Sequence, residues 1–160
     1  MSRRFDVAAL ARVAVIDERS GANLYAKMAD RAESARLKER FRWLREQEKK
    51  HEKRFSQMLE ELEQQPPTQY PDEYVDYLEI LSAQGGRAGE LEGGLDRARG
   101  DDELLRIAMR FEREQLALQR DMADALGDEH GRVAEAVIQE ERGHLVLLSR
   151  LEKEIGAERE

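Results

Sequence analysis

The stretch QEERGHLVLL, Gln139 to Leu148, places Glu141 three residues before His144 inside an otherwise apolar helical stripe. Residues three apart on a helix lie side by side, so this carboxylate and imidazole point the same way. An inward-facing pair of that kind suggests a metal. One pair proves little in a glutamate-rich chain, where accidental ExxH spacings are common. The signal is a second copy, because REQEKKHEKRF sets Glu48 three residues before His51. The chain has three histidines, and two of them carry the motif.

The flanking segments repeat with the helix period. From about Asp6 to Ala32, the positions Leu10, Ala14, Gly21, Tyr25, Met28, Ala29 and Ala32 recur at three and four, with Glu18 in their middle. Either Glu18 reaches water at the stripe edge, or a proton, a cationic side chain or a metal neutralises it. Burying it unpaired would cost several kcal/mol. Gly21 lowers helix propensity by about 1 kcal/mol relative to alanine, which room for a ligand would justify. After a break near Glu33 and Ser34, a second helix is predicted from about Arg36 to Leu62, ended by Pro66-Pro67. Its stripe is Leu37, Phe41, Leu44, Glu48, His51, Phe55, Met58 and Leu62.

Residues 63–100 are irregular, broken by Pro71, Gly85-Gly86, Gly93-Gly94 and Gly100. Within them DEYVDYLEIL sets Tyr74, Tyr77, Leu78 and Leu81 at helical spacing, as a short helix packed outside something larger. That length suits a crossover between distant ends of a bundle, and the tyrosine cluster reads as packing rather than redox wiring. A third helix, capped by Asp101 or Asp102, runs to Leu126 through Leu104, Leu105, Ala108, Glu112, Gln115, Gln119 and Met122. Gly127 and Asp128 turn the chain into a fourth helix from about Gly131 to Ile155, with Val137, Ile138, Glu141, His144, Leu148 and Leu151 inward. His130 falls in the turn and reads as an exposed bystander.

At 160 residues the chain fits a single domain able to bury a sizeable core. A formal charge of -8 argues against a general nucleic-acid or anionic-membrane binder. The absence of cysteine removes disulfides, zinc knuckles, iron–sulfur clusters and thiol catalysis together. The start, MSRRFDVAALARVAVIDE, reads as an amphipathic helix rather than a signal peptide, and no apolar run is long enough to span a bilayer. A soluble cytoplasmic protein is expected.

Self-similarity joins the two weak motifs into a strong one. Sliding the chain by 94 residues lays Leu10 to Asp30 on Leu104 to Asp124 with nine identities in 21 positions, Glu18 falling on Glu112. A shift of 93 lays the second helix on the fourth, Glu48 on Glu141 and His51 on His144. The chain is therefore two copies of a helical hairpin, forming an all-α four-helix bundle. Glu18 and Glu48 are equidistant from the first turn, and Glu112 and Glu141 are centred on the second, so four carboxylates and two imidazoles can meet at one level. Two divalent cations would balance the four charges. An oxygen-rich set with two histidines suits iron or manganese, with two carboxylates able to bridge the ions and positions left open for dioxygen or peroxide.

These residues resemble the ferritin-like superfamily of di-iron carboxylate proteins, and most closely its rubrerythrin branch. The resemblance covers about 100 residues over four helices. It rests on ERSGANLYAKMAD with Glu18 and Tyr25, EKKH with Glu48 and His51, FEREQLALQRDMADAL with Glu112, and EERGH with Glu141 and His144. It implies that Glu48 and Glu141 bridge two iron ions while Glu18, His51, Glu112 and His144 are terminal ligands. It also implies that Tyr25 either hydrogen-bonds an oxygen-derived ligand or is a core tyrosine. The chain departs from the family in having no cysteine-ligated rubredoxin module, so an external donor protein must supply electrons. It also carries Gln115 where rubrerythrins have a further carboxylate, and Glu114 lies on a different face.

Three functions are compatible with this pattern. The first is an oxidoreductase that reduces peroxide or dioxygen with Fe(II). The second is a ferroxidase serving iron storage or detoxification, and the third a helical bundle with a vestigial site. A homodimer or larger homo-oligomer is expected from the resemblance.

Overall fold

The computed structural model describes residues 1–83 and 88–160, so the Gly85-Gly86 pair lies outside the described residues. Four long helices form the body: α1 (Ala8–Arg31), α2 (Ala35–Glu63), α5 (Asp101–Ala125) and α6 (Gly127–Glu158). Between α2 and α5 run a short strand β2 (Thr68–Pro71) and two short helices, α3 (Asp72–Ser82) and α4 (Ala88–Leu95). The remaining strand, β1 (Ser2–Phe5), precedes α1 and pairs antiparallel with β2, Ser2 opposite Pro71 and Phe5 opposite Thr68. The all-α bundle of two hairpins expected from the repeat is what forms. Among the described residues no helix is long and apolar enough to cross a membrane.

Local chemistry sets the hairpin turns. Ser34 caps α2 by accepting from the Leu37 amide at 3.3 Å. Asp101 or Asp102 was expected to cap α5, but both lie in its first turn; the residue before that helix is Gly100, at a φ of 123° that side-chain-bearing residues avoid, and no side chain caps it. The Asp101 carboxylate instead accepts from the Glu33 and Ser34 amides at 2.8 and 3.0 Å, tying the start of the second hairpin to the turn of the first. The helix α6 begins at Gly127 rather than near Gly131, its first turn carrying Asp128 and Glu129, where negative charge favours a helix N-terminus. That early start corrects the reading of His130. It lies on α6, is 8% exposed, and bonds through Nε2 to Glu61 of α2 at 3.0 Å.

Cross-links between α2 and α6 run antiparallel along their whole length: Arg36 with Glu154, His51 with Glu141, Arg54 with Glu140, and Glu61 with His130. The apolar core is split in two. One half holds Leu10, Ala14, Phe55, Met58, Met122 and Val137, and the other Leu24, Met28, Phe41, Leu44, Leu104 and Leu148. Each fully buried leucine contributes about 1.5–3 kcal/mol of transfer free energy. On every long helix the residues between the two halves are the acidic and imidazole positions, so packing on both sides clamps a polar layer.

The crossover corrects three expectations. In α3 the buried residues are Val75, Leu78 and Leu81, while Tyr77 is 40% exposed and ends a row of tilted rings, Tyr70 to Tyr74 at 5.4 Å and Tyr74 to Tyr77 at 5.9 Å. Gly93-Gly94, read as a break, lies inside α4, whose Leu91 and Leu95 are buried against the bundle. The strand pair was not expected, because its partners are more than sixty residues apart in sequence, on either side of the first hairpin, and neither is periodic enough to be read locally.

Candidate metal centre

Each long helix carries one glutamate into the gap between the two apolar halves. Glu18, Glu48, His51, Glu112 and Glu141 are fully buried and His144 is 3% exposed, so Glu18 does not reach water at a stripe edge. Their ligand-capable atoms form two overlapping groups, each closed within 4.8 Å. Glu18, Glu48, His51 and Glu141 make one, and Glu48, Glu112, Glu141 and His144 the other. Glu48 and Glu141 belong to both. The six candidates from the sequence are thus all brought together.

Glu141 sits at the centre, Oε1 lying 2.9 Å from His51 Nδ1 and Oε2 2.8 Å from His144 Nδ1. The imidazoles face each other at 5.6 Å with planes 20° apart. Glu18 Oε2 is 3.6 Å from His51 Nδ1, and Glu48 Oε1 and Glu112 Oε1 are each 3.6 Å from His144 Nδ1. Both Nδ1 atoms therefore point inward. Outside the chamber, His51 Nε2 bonds Glu140 at 2.8 Å, and Arg54 holds the other oxygen of Glu140 at 2.9 Å. An imidazole held at its outer nitrogen has its ring orientation fixed, which is the usual support for a metal-binding histidine. The sequence reading missed Glu140, because it lies off the inward stripe and faces the α2–α6 seam.

The repeat also exchanges hydrogen bonds. The Tyr25 hydroxyl donates to Glu112 Oε1 at 2.5 Å, and Gln119, its counterpart in the second hairpin, donates from Nε2 to Glu18 Oε1 at 2.8 Å. Each hairpin thereby supports the other's carboxylate, one with a phenol and one with an amide, so the two halves of the chamber are chemically unequal. Gln115 donates to Glu48 Oε2 at 3.2 Å, and Glu114 faces outward against Arg110. A role for Gln119 was not seen in the sequence, although its place two turns after Glu112 on the inward stripe was the available signal.

Gly21 serves close packing rather than an open space. A Cβ there would lie 2.5 Å from Phe111 Cζ and 2.9 Å from Glu48 Oε2. Gly21→Ala is therefore expected to destabilise by about 1–3 kcal/mol, more than the gain of about 1 kcal/mol in helix propensity, and to displace Glu48. Thermal denaturation and metal content together check this; a more stable variant with unchanged metal uptake would contradict it. Tyr25→Phe removes the donor to a buried carboxylate and is expected to cost about 1–3 kcal/mol, or a few degrees of melting temperature. A shift near zero would leave Tyr25 as packing alone.

Charge is distributed unevenly over the six groups. Burial, then the nearby Glu48, Glu141 and Glu112 carboxylates, push Glu18 well above the usual carboxylate range. Burial and Glu141 do the same to Glu112, against the opposing pull of His144. Burial opposes ionisation of Glu141, but the bonds from His144 and His51 outweigh it and hold that carboxyl down at about 2. Burial likewise disfavours a charged His144, yet Glu112, Glu141 and Glu48 raise it to about 12, and His51 is raised through Glu141. Without metal, Glu18 and Glu112 therefore favour their protonated forms beside an ionised Glu141 and a charged His144.

The donor set fits a metal. Glu18 Oε2, Glu48 Oε1 and Glu112 Oε2 are buried without a hydrogen-bond partner. Orphaned buried acceptors on three neighbouring carboxylates call for cations. Hard oxygen donors with two imidazoles match the preferences of iron and manganese.

Comparison with known proteins agrees with this geometry. A solved structure from Thermotoga maritima, described as that of a ferritin-like diiron-carboxylate protein, is similar with a TM-score of 0.68 at 20% identity, over 95% of this chain and 97% of that one. That likeness establishes a ferritin-like fold. Comparison with curated proteins gives no match. The family model for rubrerythrin matches residues 10–152, which takes in most of each of the four long helices and every residue of the buried cluster. On the extent of that match the chain belongs to the rubrerythrin family.

Proposed function

We propose that the chamber holds two iron ions and that the protein is a di-iron oxidoreductase of rubrerythrin type, reducing peroxide with electrons from an external donor. The observation that carries this reading is the pair of four-residue groups sharing Glu48 and Glu141 in a fully buried layer. In it Glu48 and Glu141 would bridge, Glu18 and His51 would complete one position, and Glu112 and His144 the other. When bound, the ions would supply two electrons to the O–O bond of peroxide. Two protons must also arrive, giving two waters.

The protein's own groups support that task. The apolar halves of the core exclude bulk water, so fixed charges act strongly within the layer. Tyr25 holds a proton at its hydroxyl, hydrogen-bonded to Glu112, and burial together with that carboxylate keeps it protonated. Glu140, with its side chain 39% exposed, links the outer nitrogen of His51 to water. These 160 residues contain no cysteine, so the reducing electrons come from outside them.

The test is anaerobic loading with Fe(II), followed by stopped-flow mixing with peroxide and dioxygen in parallel. With a reductant present, peroxide is expected to be consumed in excess over iron. Stoichiometric iron oxidation with a growing mineral would instead make the protein a ferroxidase. Failure to retain any metal would leave a helical bundle with a vestigial site.

A further inference from the structure

Trp43 is the only tryptophan of the chain, and its side of α2 is unlike the rest of the surface. It is 44% exposed, yet its indole meets the His144 imidazole edge to face, with centroids 5.6 Å apart and planes at 81°. One conjugated ring therefore spans the distance from solvent to a buried imidazole of the cluster. Nine of the chain's 27 basic residues lie between Arg36 and Arg54, against four of its 35 acidic ones. On a protein of net charge -8 this segment stands out as positive. Arg40, Arg42, Lys50 and Lys53 are without an ion-pair partner among the described residues, as is Arg150 on α6, the helix packed beside α2.

We propose that the basic face of α2 around Trp43 is the docking surface for an acidic one-electron carrier protein, with Trp43 as the contact through which electrons reach the metal held by His144. This inference rests on the di-iron reading above and names the kind of donor that reading requires. A half-exposed tryptophan on a helix of net positive charge, with unpaired Arg40 one turn before it, unpaired Lys50 two turns after it, and the nearby Glu46 already held by Arg45 and Lys49, has the composition of an interface centre with a charged rim. Complementary charge steers encounter and fixes orientation, so a carrier with an acidic face is drawn to this side and repelled from the acidic remainder. A second copy of the chain using the same patch about a two-fold axis would set these cations against each other. The balance is simple. Each reduced carrier gives up one electron and becomes oxidised; two deliver the pair that breaks one peroxide O–O bond, and two protons from water complete two waters.

The test uses the iron-loaded protein with a plant-type two-iron, two-sulfur ferredoxin as the acidic probe and cytochrome c as the basic control. Trp43 fluorescence is expected to fall on titration with ferredoxin, with binding that weakens as salt rises, and to change little with cytochrome c. Arg40→Glu combined with Lys50→Glu is expected to weaken ferredoxin binding about tenfold or more. Trp43→Phe should slow reduction of the ferric centre by bound ferredoxin about tenfold, while calorimetry finds its affinity within about threefold of the unaltered protein. Equal binding of both carriers, an unchanged affinity after charge reversal, or a Trp43 surface buried between copies of the chain in sedimentation would each overturn the proposal. Reduction of the unaltered protein by dithionite, followed by peroxide, tests the di-iron reading separately. No peroxide consumption there would sink that reading, whereas the binding constants decide the docking surface.

Discussion

Glu141→Ala is expected to abolish metal binding at both positions, whereas Glu18→Ala and Glu112→Ala are each expected to leave one ion in place. The asymmetry follows from the overlap of the two groups. Glu141 belongs to both and reaches both imidazoles, at 2.9 and 2.8 Å, while Glu18 and Glu112 belong to one each. The same substitution leaves His51 and His144 without their shared carboxylate. Breaking a buried ion pair by removing one partner costs about 3–5 kcal/mol, so metal-free Glu141→Ala should also melt well below the unaltered protein. Glu141→Gln keeps the volume and serves as the companion variant should the alanine form fail to fold. Metal analysis after anaerobic loading reads the outcome, and retention of a full complement by either variant would remove Glu141 from the centre of the account.

The second large effect is a reversal of pH dependence on metal binding. Glu18 and Glu112 are raised in the folded chain, so their contribution is fully present below the ordinary carboxylate range and is lost as pH rises through their folded values. His144, raised to about 12, contributes in full below the ordinary imidazole value, and that contribution drains away as pH climbs toward 12. Glu141 has the opposite sign. Held at about 2, it contributes above the usual carboxylate range and loses that contribution as pH falls through about 2. Metal-free protein should therefore be most stable in mild acid and melt progressively lower as pH rises above the ordinary carboxylate range toward about 12. Bound cations take the place of those protons, so metal affinity rises with pH and the melting temperature gained from metal grows across the same window. At a free metal concentration about 100 times the dissociation constant the gain is about 2.7 kcal/mol, or roughly 5–10 °C for a domain of this size. Scans with and without Fe(II) at several pH values check it, and an increment that shrinks with rising pH would contradict the assigned protonation states.

Much of this site was legible because its chemistry and its fold share one period. Glu18, Glu48, Glu112 and Glu141 each interrupt an apolar stripe at helix spacing, and the duplication of those stripes ties the four positions together in the sequence itself. What stayed hidden depends on contacts between helices. Glu140 is off the inward stripe of its own helix, and only the neighbouring α2 gives it a partner. Tyr25 was placed near the centre by resemblance, but that its hydroxyl reaches Glu112 on the other hairpin follows from how the two repeats dock. Asp101 looked like a helix cap from its position, and became a cross-brace because the Glu33 and Ser34 amides lay within reach. His130 was misplaced for a smaller reason, since the last helix starts a turn earlier than its apolar pattern does.

The most direct test of the account is X-ray absorption at the iron edge on protein loaded anaerobically with Fe(II). Two irons sharing Glu48 and Glu141 predict a mixed oxygen and nitrogen first shell and an iron–iron scattering distance of about 3.5–4 Å. A single iron per chain, or two with no metal–metal scattering, would contradict the shared-carboxylate chamber.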